Sequence, residues 1–343
     1  MGRVMDTSLD KPTYVAGLKS VSSGNLPSLD ALEDAADLIY RHMPPTSQYR
    51  WPLLDQRVGA CVWVKHENHT PTGAFKVRGG LVYLHELCRS REKPAGVISA
   101  TTGNHGQSIG FAAQRYGVRA AVVVPRGNSI EKSGAMRALG LELIERGRDF
   151  QEAHEAADVI CAERGWHRFP SFHELLVRGV GTYALELFRA VSDIHTVYVP
   201  VGMGSGLCGM IAARDALDLQ TRIVAVVAER APAFAMSFAQ GRAMSHEPTT
   251  RIADGMACRT VDLTALEIAR RGTERVVQVS DDEIEAAMRA LFADTHNTAE
   301  GAGAAALAAL LKERESMRGH NVAVVLSGGN VDTRVFSRVL ATD

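Results

Sequence analysis

Thr70-Pro71-Thr72-Gly73-Ala74-Phe75-Lys76-Val77-Arg78-Gly79-Gly80 is the stretch on which the reading of this chain turns. Pro71 and Gly73 punctuate the backbone ahead of the lysine, so Lys76 is expected on a defined turn that opens a helix rather than on a solvated helix face. An amine held out of water has a lowered pKa and is free to condense with a carbonyl. A lysine opening a surface helix has the same local look. The choice between the two depends on what else the chain carries.

Outward from this stretch, residues 62–65 read as a strand feeding the Lys76 loop. Ser28 caps a predicted helix through Leu29, Leu32, Ala36, Ile39 and Met43, stopped by Pro44-Pro45, and residues 1–27 read as a polar, extended arm. Downstream, strands at 97–100, 120–124 and 141–144 alternate with helices from Asn104, around 131–139 and around 150–162. A second set starts with a strand at 197–200. It continues through a helix from about Leu207, a strand at 223–228, helices at 281–294 and 302–313, and a last strand at 322–326. Such alternation implies right-handed crossovers and parallel sheets. Two sets in one chain predict an α/β protein of two lobes, each an open, mostly parallel sheet flanked by helices, with ligands bound in a cleft beyond the strand ends.

Composition excludes several other classes. The 343 residues are 46% hydrophobic and 22% charged, with a formal net charge of -1, which offers no field for nucleic acid or anionic lipid. The apolar runs are strand-sized and too short to span a bilayer. The first twenty residues lack a basic-then-apolar leader, so a cytoplasmic protein is expected. Five widely spaced cysteines (Cys61, Cys88, Cys161, Cys208, Cys258) predict reduced thiols rather than a disulfide framework or a zinc site. His66 and His69 flank Glu67 with too few ligands for a metal, and none is expected.

Three further turns carry ligand chemistry. Pro200-Val201-Gly202-Met203-Gly204-Ser205-Gly206 follows a strand and opens a helix, where glycines admit an anion and the helix start offers unpaired amides, which makes it a phosphate cradle. Gly204 to Gly209 also satisfies the dinucleotide fingerprint, with Glu229 placed like a ribose-binding acid, so a nicotinamide dehydrogenase is a competing reading. Thr101-Thr102-Gly103-Asn104-His105-Gly106 is a second anion-binding turn, suited to a carboxylate, and the Asn104 side chain has hydrogen-bonding groups for a ring substituent. Ser327-Gly328-Gly329-Asn330 ends the last strand with one hydroxyl. Three ligand loops and a lysine exceed what a dinucleotide requires and suit a phosphorylated aldehyde cofactor that also holds an amino acid. A binding module without catalysis has no need of Lys76.

Pro71-Thr72-Gly73-Ala74-Phe75-Lys76, Thr102-Gly103-Asn104-His105-Gly106, Gly202 to Gly206 and Ser327-Gly328-Gly329-Asn330 occur in an order that resembles the fold-type II pyridoxal-phosphate enzymes, whose fold is that of the tryptophan synthase beta chain. Ile252-Ala253-Asp254-Gly255 and Glu300-Gly301-Ala302-Gly303 extend the likeness over roughly residues 60–335. The chain is similar to the threonine/serine dehydratase and serine racemase branch, and its lysine and glycine loops are most like those of hydroxyectoine-utilisation dehydratases. The regulatory C-terminal domain of biosynthetic threonine dehydratases is not expected after Ser327.

The resemblance implies pyridoxal 5'-phosphate carried by Lys76 as a Schiff base, with the lysine afterwards removing the Cα proton. Phe75 packs beside the ring, Gly202, Met203, Gly204, Ser205 and Gly206 hold the phosphate, Asn104 meets the ring oxygen and Ser327 faces the ring nitrogen. Thr101, Thr102, Gly103, Asn104 and His105 take the substrate carboxylate, and Thr102 stands where the racemase uses a catalytic serine. The implied reaction is loss of water and ammonia from a threonine- or serine-type amino acid, with racemisation or β-replacement as alternatives on the same fold. A large domain of residues 1–86 and 173–343 with a small mobile domain at 87–172 is expected, in a homodimer or larger homo-oligomer. Ala233 and Ala235 depart from the racemase's cation site, which begins at the acid matching Glu229.

Overall fold

The computed structural model describes residues 26–90, 93–148 and 150–342. The expected N-terminal arm, apart from its last two residues, lies outside them. Ten strands occur among the described residues: β1 Gln48–Arg50, β2 Cys61–His66, β3 Val97–Ala100, β4 Ala120–Val124, β5 Glu142–Glu145, β6 His167–Arg168, β7 Thr196–Pro200, β8 Arg222–Ala228, β9 Arg275–Val279 and β10 Asn321–Leu326. They form a six-stranded sheet in the order β1-β2-β10-β7-β8-β9 and a four-stranded sheet in the order β5-β4-β3-β6. All neighbours run parallel except β1 against β2.

The central strands β3, β4 and β7 are buried at every residue, because helices cover both faces of each sheet. That is why they read as mostly apolar runs, without the alternation of a half-exposed strand. The helix Gly301–Lys312 is buried on nearly every side, and its small residues let it lie close against β10, β7, β8 and β9. A single buried cluster runs from the helices Leu29–Tyr40 and Lys76–Arg89 into the four-stranded sheet.

Ser28 caps its helix as expected, its hydroxyl accepting from the Ala31 amide at 3.3 Å. The helix ends at Tyr40, short of Met43, the residue ahead of Pro44, where helical backbone is disfavoured. The strand β1, the edge strand β9 and the helix Glu174–Ala190 carried no expectation. Each strand that precedes a ligand loop points its C-terminal end the same way within its sheet: β2 leads to the lysine loop, β3 to Thr101, β7 to Gly202 and β10 to Ser327. Parallel pairing of β2, β10 and β7 thus brings three of the four loops side by side.

Candidate active site

The lysine loop is stitched in place by backbone bonds. Thr70 Oγ1 accepts from the Ala74 amide at 2.9 Å and donates to the Ala74 carbonyl at 2.8 Å, closing a tight turn. The Phe75 amide donates to the Ser327 carbonyl at 3.1 Å, and Ala74 bridges Gly328. Lys76 therefore starts the helix Lys76–Arg89 directly beside the end of β10. The residue as a whole is half-buried, but its amine is the enclosed end. Burial draws the amine's pKa down, opposed in part by the neighbouring Cys258 thiol.

The Lys76 amine lies 3.4 Å from Ser205 Oγ and 5.0 Å from the centre of the Phe75 ring. Ser205 is the first residue of the helix Ser205–Ala216, whose N-cap Gly204 provides no side-chain cap. The amides of the first turn thus lack intrahelical partners and keep the positive end of the helix dipole uncovered. Gly204 has φ +100°, closed to ordinary side chains, and a Cβ on Gly202 would stand 2.6 Å from the Gly255 carbonyl. The loop is a bare-backbone cradle, and its geometry fits a phosphate whose parent molecule reaches the lysine amine. Phe75 stands over Gly206, its ring 3.6 Å from the space a Cβ there would take.

Thr101, which the carboxylate turn was expected to present to a ligand, turns its hydroxyl inward. Oγ1 accepts from the amides of Gly103 at 3.1 Å and Gly106 at 3.2 Å. Thr102, Asn104 and His105 are then the remaining amide donors of the turn at the start of the helix Asn104–Tyr116. The Asn104 amide group donates to Glu300 Oε1 at 2.5 Å and accepts from Asn330 Nδ2 at 2.8 Å, which leaves one N–H for a ligand. The His105 ring has a buried Nε2 without a hydrogen-bond partner in the protein, and burial, helped by Lys76, pushes its pKa down to about 3. It is a neutral imidazole.

Ser327 is buried, and its hydroxyl makes one long bond, 3.4 Å, to the Ala302 carbonyl. Three residues without an assigned role join the site. Cys258 lies near Lys76 and Gly202, its thiol pushed up to about 11 chiefly by burial. Glu300 is buried against Asn104, its carboxyl raised by desolvation. Lys132 spans the cleft to Asp254. Asp254 and Glu300 stood inside recognisable motifs, so their motifs were visible while their contacts were not. Glu229 is exposed at the end of β8, and no cluster of three or more metal-ligating side chains occurs among the described residues.

A lysine with an enclosed amine, a bare glycine turn at one helix start and a second helix-start turn, carried by two parallel-sheet lobes, fit the class of pyridoxal-phosphate enzymes built on open α/β sheets. Residues 39–328 match the family described as pyridoxal-phosphate dependent enzyme, and the chain belongs to it. The cofactor of this family is pyridoxal phosphate, so the dinucleotide reading of Gly204 to Gly209 gives way. The L-threonine ammonia-lyase of Thermotoga maritima is 33% identical over 84% of this chain and 72% of its own length. The catabolic L-threonine dehydratase TdcB of Escherichia coli is 30% identical over 91% and 94%. The processed form of threonine deaminase isoform 2 from Solanum lycopersicum superposes with a TM-score of 0.84 at 28% identity, covering 95% of this chain and 100% of that one. Maize serine racemase gives 0.85 at 26%, covering 92% and 97%.

Proposed function

We propose that the protein converts a 3-hydroxy amino acid of the threonine or serine type to a 2-oxo acid and ammonia. The observation that carries this reading is an enclosed Lys76 amine at the mouth of the glycine cradle, beside a strand end that offers a serine and no carboxylate. Relatives named threonine ammonia-lyase and threonine dehydratase support it.

Pyridoxal phosphate, when bound, supplies an aldehyde for an amine and a ring that draws off the electron pair of a broken Cα–H bond. In this reading the backbone from Gly202 to Gly206 would hold the phosphate, Phe75 would pack beside the ring, and Asn104 would offer its spare N–H to the ring's oxygen substituent. Lys76 Nζ would hold the cofactor and is the group that would accept the Cα proton, a role its lowered pKa suits. The amides of Thr102, Asn104 and His105 orient the α-carboxylate on a turn shaped by Thr101 and Gly103. Ser327 would offer the ring nitrogen a neutral hydroxyl, which stabilises a proton there less than a carboxylate does. Such a setting would favour substrates that carry a β-leaving group such as a hydroxyl. Water lost at the β-carbon is regained on hydrolysis, so the balance is hydroxy amino acid to 2-oxo acid plus ammonium.

In the same proposal residues 87–172 move as a unit against 1–86 and 173–343, and the enzyme works in the cytoplasm as a homo-oligomer. No helix among the described residues is long and apolar enough to cross a membrane. The test of the reaction is a panel of L- and D-hydroxy amino acids, with ammonia and 2-oxo acid measured together. Equal amounts of both from at least one of them are expected. Formation of a β-substituted product in their place overturns the reading.

A further inference from the structure

The helix Ile130–Ala138 belongs to the four-stranded lobe, between β4 and β5, yet its first turn reaches into the other lobe. The Ser129 hydroxyl donates to the Asp332 carboxylate, and Glu131 accepts from the Thr333 amide at 2.9 Å. The Lys132 ammonium lies 2.6 Å from Asp254 and 3.5 Å from Glu300. Lys132 is 8% exposed, and a buried cation persists only with close carboxylate partners.

The stem of the same lysine covers the carboxylate turn. A Cβ placed on Gly103 would stand 2.7 Å from Lys132 Cδ, so the methylenes rest on the turn's backbone. Glu300 also reaches the turn, through the 2.5 Å bond from Asn104. Both supports of the turn therefore end on the six-stranded lobe.

We propose that Lys132 is a positioning residue for the substrate's α-carboxylate. Its stem packs the turn of residues 101–105, and its ammonium ties that turn to Asp254 and Glu300 across the cleft. The turn keeps its anion-binding shape only while this tie holds. The inference rests on the reading of that turn as the carboxylate site.

Lys132→Met keeps the stem and removes the charge. In the holoprotein it should raise KM about tenfold for the best hydroxy amino acid, with kcat changed less than about threefold and cofactor content unchanged. Lys132→Arg, which keeps the charge, should recover most of the lost affinity. Asp254→Asn, a half-exposed change on the opposite lobe, should shift KM the same way and carries the test if Lys132→Met does not fold. Hydrogen exchange of the 101–106 segment, measured without substrate, should quicken about tenfold in both variants while β4 stays protected. Unchanged exchange and KM in folded variants overturn the proposal. A fall in kcat at constant KM also overturns it, because the lysine then acts in the chemical step. If the unmodified protein turns over no hydroxy amino acid, the functional reading fails, and the exchange measurement alone still decides whether Lys132 holds the turn.

Discussion

Thr102 separates two outcomes that a lysine and a phosphate cradle leave open. It is a half-buried residue of the carboxylate turn, and it keeps the hydroxyl that a proton return to Cα requires. Its extra methyl restricts χ1, which hinders the alignment such a transfer needs. Elimination should therefore outrun racemisation in the unmodified protein, and Thr102→Ser should raise the racemised share of residual serine several-fold, about threefold or more. Chiral analysis during turnover measures it. Fast racemisation by the unmodified protein contradicts the elimination reading, whereas an unchanged share in Thr102→Ser contradicts only the role given to Thr102. At this scale the sequence was most legible where a residue's type is demanded by backbone: Gly204 at φ +100° and the bare cradle could be read directly. The inward turn of the Thr101 hydroxyl could not, since its partners are amides that any residue supplies.

The helix that begins with Lys76 owes its position to a group with no signature in the chain. Arg78, two residues beyond the lysine, is fully buried and donates to Glu67 at 2.7 Å and to Glu186 at 2.6 Å. Lys65 donates to Glu186 at 2.6 Å and to the Thr46 carbonyl at 2.7 Å, so two cations face two carboxylates inside the protein. Arg78→Met leaves two buried carboxylates with one cation, and such a loss costs about 3–5 kcal/mol. The denaturation midpoint should drop accordingly, and cofactor retention should weaken because the Lys76 turn loses its anchor. A folded variant with unchanged stability contradicts that role for the network. Nothing in a single sequence announces these pairings, because Lys65 and Glu186 stand 121 residues apart and each looks like an ordinary surface charge. The strands and their order of appearance were legible for the opposite reason, since burial on both faces writes itself as a local apolar run.

Across the whole molecule, alternation of strands and helices was enough to foresee two parallel sheets, while the antiparallel edge β1 was too short to register. The inter-lobe contacts of Ser129, Glu131 and Lys132 escaped the reading for the same reason as the buried ion pairs. Folding also buries several histidines in neutral form. Burial pushes His66 down to about 4, His173 to about 4 and His105 to about 3, and His66 Nε2 accepts from the Trp51 indole at 3.1 Å. The unfolded chain takes up these protons below about pH 6.5 and the folded protein does not, so unfolding binds protons in that window. Stability should fall as the pH is lowered from about 6.5 toward 4. Urea midpoints of the holoprotein between about pH 7.5 and 5 test this. His173→Asn, which keeps an acceptor for the Leu175 amide, should flatten the slope, and an unchanged slope contradicts the assignment.

The central claim is that Lys76 and no other lysine carries the cofactor. Borohydride reduction of the purified holoprotein, followed by digestion and mass spectrometry, tests it most directly. The account predicts loss of the visible absorbance and a phosphopyridoxyl mass on the peptide containing Lys76 alone. An unmodified Lys76, or the label on a different lysine, contradicts it.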